Sequence, residues 1–291
     1  MKHIHIGVLG LGQMGSALAQ CFVANERPVI VWNRTPAKTQ AFSGLTVVAT
    51  SAADACEQAE LVVMCVADYT VAHSVLDTDE VRASLRGKTL VQLTSCAPAD
   101  ARRSEAWARK HGISYLDAAI LNYPAGVGDE HTAIFYSGEK SSFDKFQTEL
   151  AVLGGLTQYV GNRVGAASAL DCALLEFYYA ASTGLLHAAA LCEAEEIPLD
   201  QYFPAAEALM PLLQSTSTAA QAMIGARAYA GNQATLAVHL GAIKNIQRAS
   251  VDSGLANEIP DALVKAFSRA VAGGRGVEEL PAVFEAQLQP G

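Results

Sequence analysis

One carboxylate, Asp171, stands in Gly165-Ala166-Ala167-Ser168-Ala169-Leu170-Asp171-Cys172-Ala173-Leu174-Leu175, a stretch otherwise made of small and apolar residues. An ionised carboxylate in apolar surroundings is costly unless paired, and its pKa tends to rise. Such a group either finds a structural partner or handles protons; taken alone, a paired or capping aspartate is the commoner outcome. Tyr179 follows eight residues on, which in a helix is about two turns along and a rotation of roughly 80°. Both side chains can then border one cleft. Tyr178 and Tyr179 by themselves read more readily as packing aromatics than as proton donors. His187 and His239 are isolated, with no second ligand at metal spacing, so no metal site is expected. The cysteines at 21, 56, 65, 96, 172 and 192 are scattered without a Cys-x-x-Cys pair. They read as reduced, mostly buried thiols.

A second group of residues is suited to an anion. Ile4-His5-Ile6-Gly7-Val8-Leu9 is an apolar run, Gly10-Leu11-Gly12-Gln13-Met14-Gly15 follows, and Ser16-Ala17-Leu18-Ala19-Gln20 reads on as a helix. Between a strand and a helix, a Gly-x-Gly-x-x-Gly turn signals dinucleotide binding. Gly10 permits the tight turn. Gly12 lets a pyrophosphate approach the backbone, and Gly15 lets the helix pack close to the strand. The first helical turn adds unpaired N–H groups and a positive dipole end. About 20 residues on, NAD-binding chains place an acid on the ribose 2′-hydroxyl. Here Val29-Ile30-Val31-Trp32 ends in Asn33-Arg34-Thr35, with Lys38 nearby. An acid would repel a 2′-phosphate, whereas arginine binds one with a fork of charge-assisted hydrogen bonds. The expected cofactor is NADPH (NADP). Its expected cradle is Gly10, Leu11, Gly12, Gln13, Met14, Gly15, Asn33, Arg34, Thr35 and Lys38, joined by Val66, Ala67, Thr94 and Ser95 at later strand ends. The competing reading is a tight turn beside a solvated arginine.

These residues need elements to position them. Residues 1 to about 160 alternate strand patterns (4–9, 28–33, 46–49, 61–66, 89–94, 114–117, 132–137, 157–160) with helix patterns (13–25, 35–42, 52–57, 69–76, 80–85, 98–110, 141–152). The alternation predicts an α/β, doubly wound, mainly parallel sheet covered on both faces. Leu61-Val62-Val63-Met64-Cys65-Val66 is apolar without alternation, as a central strand should be. Ligands in such sheets sit outside the carboxyl ends of the strands. That directs attention to Val66-Ala67-Asp68, to Leu93 through Pro98, and to Asp117 through Pro124.

After Asn162 the composition changes. From Gly165 to Cys192 the chain is rich in Ala, Leu and aromatics, lacks Pro, and reads as one helix of about 42 Å. A transmembrane span is the alternative for so apolar a stretch. Asp171, Glu176 and His187 inside it, and the lack of basic flanks, argue against that. Further helices are expected over 199–213, 215–229, 233–252, 258–271 and 277–287. The expected domains are a dinucleotide-binding domain over 1–162 and an all-helical domain over 163–291 that includes the long interdomain helix 165–192. The remaining chain is short for covering that helix, so a homodimer is expected.

Composition sets further bounds. At 291 residues the chain has room for two domains of ordinary size. It is 51% hydrophobic and 17% charged, hence compact. A net charge of −9 argues against nucleic-acid binding by bulk electrostatics and against an anionic membrane surface. The strand pattern begins almost at once, so no signal peptide is expected, and the expected location is cytoplasmic.

Together, Gly10 to Gly15 and Trp32-Asn33-Arg34-Thr35 resemble the opening pattern of the β-hydroxyacid dehydrogenase superfamily. The resemblance implies an N-terminal Rossmann domain and a long interdomain helix leading into a helical domain. In those dehydrogenases the helix opens with Gly-x-Gly-x-x-x-Lys-x-x-x-Asn, and the lysine is the catalytic acid. Here the corresponding positions are Gly165, Ala167, Asp171 and Leu175. Their glycine-rich substrate loop is replaced by Ala118 to Pro124. These departures are similar to the imine reductases and reductive aminases, which carry Asp or Tyr at the lysine position. Leu170 to Leu175, Gly184-Leu185-Leu186-His187-Ala188 and Gly273-Gly274-Arg275-Gly276-Val277-Glu278-Glu279-Leu280 also look like that family.

The resemblance implies hydride transfer from NADPH to the carbon of a C=N bond, where domains and subunits meet, on a small imine or amine substrate. It puts Asp171 and Tyr179 in catalytic roles, and Ser95, Asn122, Leu175, Leu212 and His239 around the substrate. The exchange of lysine for aspartate is physically sensible. A ketone builds negative charge on oxygen; an iminium is a cation and favours a carboxylate. Asp171 could hold that cation or protonate a neutral imine. An anion stabilises the charged substrate more than a transition state in which the charge disperses, so its gain comes from favouring protonation and from orientation. Reductive aminases place an asparagine after the strand where this chain has Ser95, and a glutamine on a later helix where it has His239. Reduction of preformed imines is therefore expected over joining free amines to ketones. The competing expectations are a 3-hydroxy acid dehydrogenase-like enzyme and a non-catalytic NADP-binding regulator.

Overall fold

The computed structural model describes residues 5–288, and two compact units divide between Glu176 and Phe177. The first unit is built on one eight-stranded sheet: β1 (Ile6–Leu9), β2 (Val29–Trp32), β3 (Val47–Val48), β4 (Leu61–Met64), β5 (Thr89–Gln92), β6 (Ser114–Leu121), β7 (Ala133–Gly138) and β8 (Leu156–Gly161). The expected strand over 4–9 begins at residue 4, outside the described residues. Helices α1 (Gln13–Ala24), α2 (Ala52–Gln58), α3 (Tyr69–Leu76), α4 (Asp79–Leu85), α5 (Pro98–Lys110) and α6 (Lys140–Leu150) connect the strands. The strand order is β3-β2-β1-β4-β5-β6-β7-β8. Chain order therefore reverses between β1 and β4, and the crevice outside their carboxyl ends is where such a sheet takes a ligand.

Strand alternation explains the two cores. Ile6, Val8, Val31, Leu61 and Val63 pack on one face with Leu18 and Phe22 of α1. Leu9, Ile30, Val62, Met64 and Leu90 pack on the other with Ala55 and Cys56 of α2 and Leu76 of α3. All of β4 is buried, as its unbroken apolar run requires.

The sheet is parallel except where β6 pairs antiparallel with β7. No helix lies between those two strands, only a loop with a 3-10 turn at Pro124–Gly126. A parallel crossover needs a longer connection. The same pairing carries β6 beyond the expected 114–117, because Ala118 to Leu121 find partners in Tyr136 to Ala133. The stretch expected as a helix over 35–42 is a 3-10 helix, Pro36–Phe42, started by its proline.

Helix α7 (Ala166–Ala194) runs without a break across the division between the units. The second unit continues with α8 (Leu199–Ala226), α9 (Leu236–Asp252), α10 (Glu258–Ala270) and α11 (Val283–Gln287). Its small core is Tyr229, Leu236, Ala270, Ala282 and Ala286. The two helices expected over 199–213 and 215–229 are one. The polar stretch Gln214 to Thr218 does not end the helix, and two of its hydroxyls turn back onto it. Thr216 Oγ1 donates to the Leu212 carbonyl at 3.0 Å, and Thr218 Oγ1 to that of Gln214 at 3.2 Å. The expected helix over 277–287 is shorter, a 3-10 turn (Leu280–Ala282) followed by α11. Among the described residues no helix is long and apolar enough to cross a membrane.

Candidate active site

The glycine turn between β1 and α1 has the geometry its residues require. Gly10 holds φ at +100°, and a Cβ there would lie 2.2 Å from the Cys65 carbonyl oxygen. A Cβ on Gly15 would lie 2.0 Å from the Gly10 oxygen, so the helix passes against the turn itself. Around Gly12 there is nothing within 4 Å, which leaves bare backbone open to an incoming group. Gly12 caps α1 without any side-chain hydrogen bond, so the first-turn N–H groups remain for a ligand.

Above this turn lies a cavity of about 550 Å³. Gly10, Gly12, Gln13, Met14 and Gly15 form its floor, and Asn33, Arg34, Thr35 and Lys38 one wall. Val66 and Ala67 line it from beyond β4. Three of the expected cradle residues do not line it. Leu11 is buried, and its N–H donates to Asn33 Oδ1 at 2.8 Å, tying the turn to the end of β2. Thr94 is buried, and its Oγ1 accepts from the Val66 N–H at 3.1 Å, which holds the loops after β4 and β5 together. Ser95 is exposed on the second of those loops.

The cavity also takes residues outside the expected set: Trp32, Cys65, Val71, Val75, Tyr123 and Pro124. Val71 and Val75 stand one turn apart on α3, whose start is capped by Asp68 Oδ1 accepting from the Val71 N–H at 2.8 Å. The Val66-Ala67-Asp68 stretch was the available signal for them. Burial pushes the Cys65 thiol up to about 11, so it is a packing group rather than a nucleophile. All six cysteines are free.

The cavity fits a dinucleotide carrying an extra phosphate. It offers open backbone at Gly12 and two exposed cations, Arg34 and Lys38, which among the described residues have no acidic partner. Asn122 belongs to the same cavity. Its amide donates to Thr132 Oγ1 at 2.7 Å and its carbonyl accepts from the Tyr123 N–H at 2.8 Å, so it shapes the β6–β7 loop.

The carboxyl of Asp171 lies in the first turns of α7 and is 4% exposed. Among the described residues nothing donates a hydrogen bond to it. Burial, and secondly the neighbouring Asp117, hold it above the ordinary range of an aspartate. A group in that state keeps its proton to higher pH than a solvated carboxylate does. Leu175, one turn on, is half-buried. Tyr179 is 61% exposed and stacks edge-on with Tyr178. On α8, Leu212 is 62% exposed. His239 on α9 is half-buried, its ring 6.3 Å from that of Phe267. Each unit thus carries its own part of the expected set: Asp171, Leu175, Asn122 and Ser95 in the first, Tyr179, Leu212 and His239 in the second.

A doubly wound sheet with this turn, this cation pair and this cavity defines a dinucleotide-binding protein. Residues 5–161 match the family described as the NAD binding domain of 6-phosphogluconate dehydrogenase. Residues 164–288 match the C-terminal domain of NADPH-dependent reductive aminase-like proteins. The chain is 30% identical over 290 residues to an NADPH-dependent reductive aminase of Aspergillus oryzae, covering 97% of this chain and 96% of that protein. A solved imine reductase from Myxococcus stipitatus, in complex with NADP+, is 35% identical with a TM-score of 0.93, covering 97% of this chain and 99% of that one. A reductive aminase from Aspergillus terreus, in complex with NADPH4, cyclohexanone and allyl amine, is 28% identical with a TM-score of 0.87, covering 98% and 99%. The chain belongs to the imine reductase and reductive aminase family and is an NADP(H)-dependent oxidoreductase.

Proposed function

We propose that this chain reduces the C=N bond of a small imine or iminium to the amine at the expense of NADPH, with Asp171 as the group that handles charge and proton on the substrate nitrogen. The observation that carries the reading is Asp171 itself, a buried carboxyl with no donor of its own, held above its ordinary range at the start of α7. The cofactor, when bound, supplies the hydride. Gly10, Gly12, Gly15 and the first turn of α1 hold its pyrophosphate, and Arg34 with Lys38 its 2′-phosphate. Asn33 keeps the turn and the cation wall in register through its bond to the Leu11 N–H.

Asp171 has two routes. Protonated, it gives its proton to a neutral imine nitrogen. Ionised, it holds an iminium cation in place. In both, burial strengthens its interaction with the substrate nitrogen, because water screens little there. Tyr179 completes the catalytic pair, and Ser95, Asn122, Leu175, Leu212 and His239 contribute to substrate binding. With Ser95 and His239 where reductive aminases carry amides, preformed imines are better substrates than a ketone with a free amine. Residues 1–162 serve the cofactor and 163–291 the substrate and dimerisation. The working form is a homodimer, which the exposed apolar side chains of α7 and α8 support. Six free thiols suit a reducing compartment, the cytoplasm.

The test is NADPH consumption with 1-pyrroline or 2-methyl-1-pyrroline, run beside Asp171→Ala and Asp171→Asn. Turnover falls by about 10²-fold or more in both variants, while NADPH affinity measured by fluorescence is kept. If the variants match the wild type, Asp171 is structural and Tyr179 takes its place. If only a 3-hydroxy acid is turned over, the C=N reading is wrong.

A further inference from the structure

Asp117, in the middle of β6, is a buried acid to which the mechanism above gives no task. It is 0% exposed. Four donors converge on its carboxylate from two other segments. Ser137 Oγ of β7 donates to it at 3.0 Å, the Gly165 N–H at 3.0 Å, the Ser168 N–H at 3.1 Å and Ser168 Oγ at 2.6 Å. Ser137 Oγ accepts in turn from the Ala167 N–H at 3.1 Å. These bonds satisfy N–H groups that the start of a helix leaves without partners. Gly165 holds φ at +91°, and a Cβ there would lie 2.8 Å from the Pro98 oxygen, so the entry into α7 requires glycine at this point. Ser168 and Asp171 are three residues apart on that helix. They share a face, with Cβ atoms roughly 5–6 Å apart.

We propose that Asp117 is a positioning residue for the reaction: it pins the first turn of α7 through the donors it collects there, and so fixes where Asp171 stands beside a second buried carboxyl. The proposal rests on the reading of Asp171 given above.

The other titratable and charged groups at this end of α7 do not compete. Cys96, on the loop after β5, lies with Sγ 3.3 Å from Ser168 Oγ. The hydroxyls of Tyr69 on α3 and Tyr115 on β6 are 3.0 Å apart. Burial pushes all three groups up, which leaves them neutral near pH 7. Cys172, on α7, donates to the Cys96 carbonyl at 3.6 Å. Arg102 of α5 is exposed beside Gly165. Beyond burial, Asp117 is the group that acts on the Asp171 carboxyl.

Asp117→Asn removes the charge and keeps the shape. Its carbonyl oxygen can take the three donors at Oδ2, and its amide can donate to Ser168 Oγ, which then turns its hydrogen toward Cys96 Sγ. Ser137→Ala keeps the charge and removes one donor that offsets it. The full-length protein, free of cofactor and labelled with carboxyl-13C aspartate, is titrated by NMR, with the Asp171 signal identified by its loss in Asp171→Asn. The dependence of kcat/KM on pH for 2-methyl-1-pyrroline is measured alongside. In Asp117→Asn the Asp171 midpoint falls by at least about half a pH unit, and the limb of the pH profile that Asp171→Asn abolishes moves with it. In Ser137→Ala both move up. A midpoint unmoved in Asp117→Asn, or lowered in Ser137→Ala, overturns the proposal. If Asp117→Asn does not fold, Ser137→Ala decides alone: a rise supports the proposal and anything else overturns it. A midpoint that moves while the pH limb survives in Asp171→Asn has another meaning. Then Asp117 acts on Asp171 but Asp171 does not act on the substrate, and the positioning role falls with that reading.

Discussion

At the scale of single residues, the sharpest contrast is between groups whose task is local and groups whose task is long-range. The three glycines of the turn were legible because their requirement is their own backbone. Gly10 and Gly15 have no room for a Cβ, and Gly12 has room that a phosphate needs. Arg34 was legible because it follows the second strand at a spacing the fold fixes. That assignment makes a prediction. Charge-assisted hydrogen bonds contribute about 1.5–3 kcal/mol, and each 1.4 kcal/mol is about tenfold. Arg34→Ala should therefore raise the Kd for NADPH by about 10- to 100-fold, and that for NADH by less than about threefold. Titration of both cofactors by fluorescence checks it; equal losses would remove the 2′-phosphate from Arg34. Asp117 lies at the other extreme. The stretch from Asp117 to Pro124 drew attention only as a strand end. The donors that define Asp117 come from Ser137, Gly165 and Ser168, 20 to 51 residues away, and no local pattern announces them.

At the scale of elements, α7 combines two demands, to begin at a fixed point and to carry a carboxyl where carboxyls are costly. The cost has a pH signature. A raised folded pKa means that the native chain keeps a proton which the unfolded chain has released, over the window between about 3.9 and the raised value. Stability is full below that window, falls as pH rises through it and stays lower above it. Asp171→Asn removes the loss. Calorimetry of the cofactor-free protein should show the variant melting above wild type at pH 7.5. The two should converge near pH 4. Parallel curves at all pH values would mean that the carboxyl is solvated or paired. The sequence made the start and end of α7 visible, because Gly165 opens it and the apolar run is unbroken. It hid the continuity of α8, whose two expected helices are one, with Thr216 and Thr218 bonding the carbonyls one turn back. It likewise hid the length of β6, which its neighbour β7 decides.

At the scale of the whole molecule, the question is what covers the apolar helices. No residue of α8 is buried within this chain, although Phe203, Leu209, Met210, Leu212 and Leu213 lie on it. Phe177, Tyr178, Tyr179 and Leu186 of α7 are exposed as well. So many large apolar side chains left exposed are unusual for a folded chain, and apolar patches mark interfaces. The proposed homodimer would supply that cover, since a second copy of the chain needs no other gene product. It also explains why an apolar helix of 29 residues is followed by so small a core as Tyr229, Leu236, Ala270, Ala282 and Ala286. Light scattering behind gel filtration should therefore give twice the chain mass at micromolar concentration. Leu209→Glu, which puts a charge on the exposed face of α8, should shift the protein toward monomer and lower turnover, while the cofactor site on the first unit still binds NADPH. A monomeric wild type with full turnover would refute the homodimer. A dimer indifferent to Leu209→Glu would place the interface elsewhere than on that part of α8.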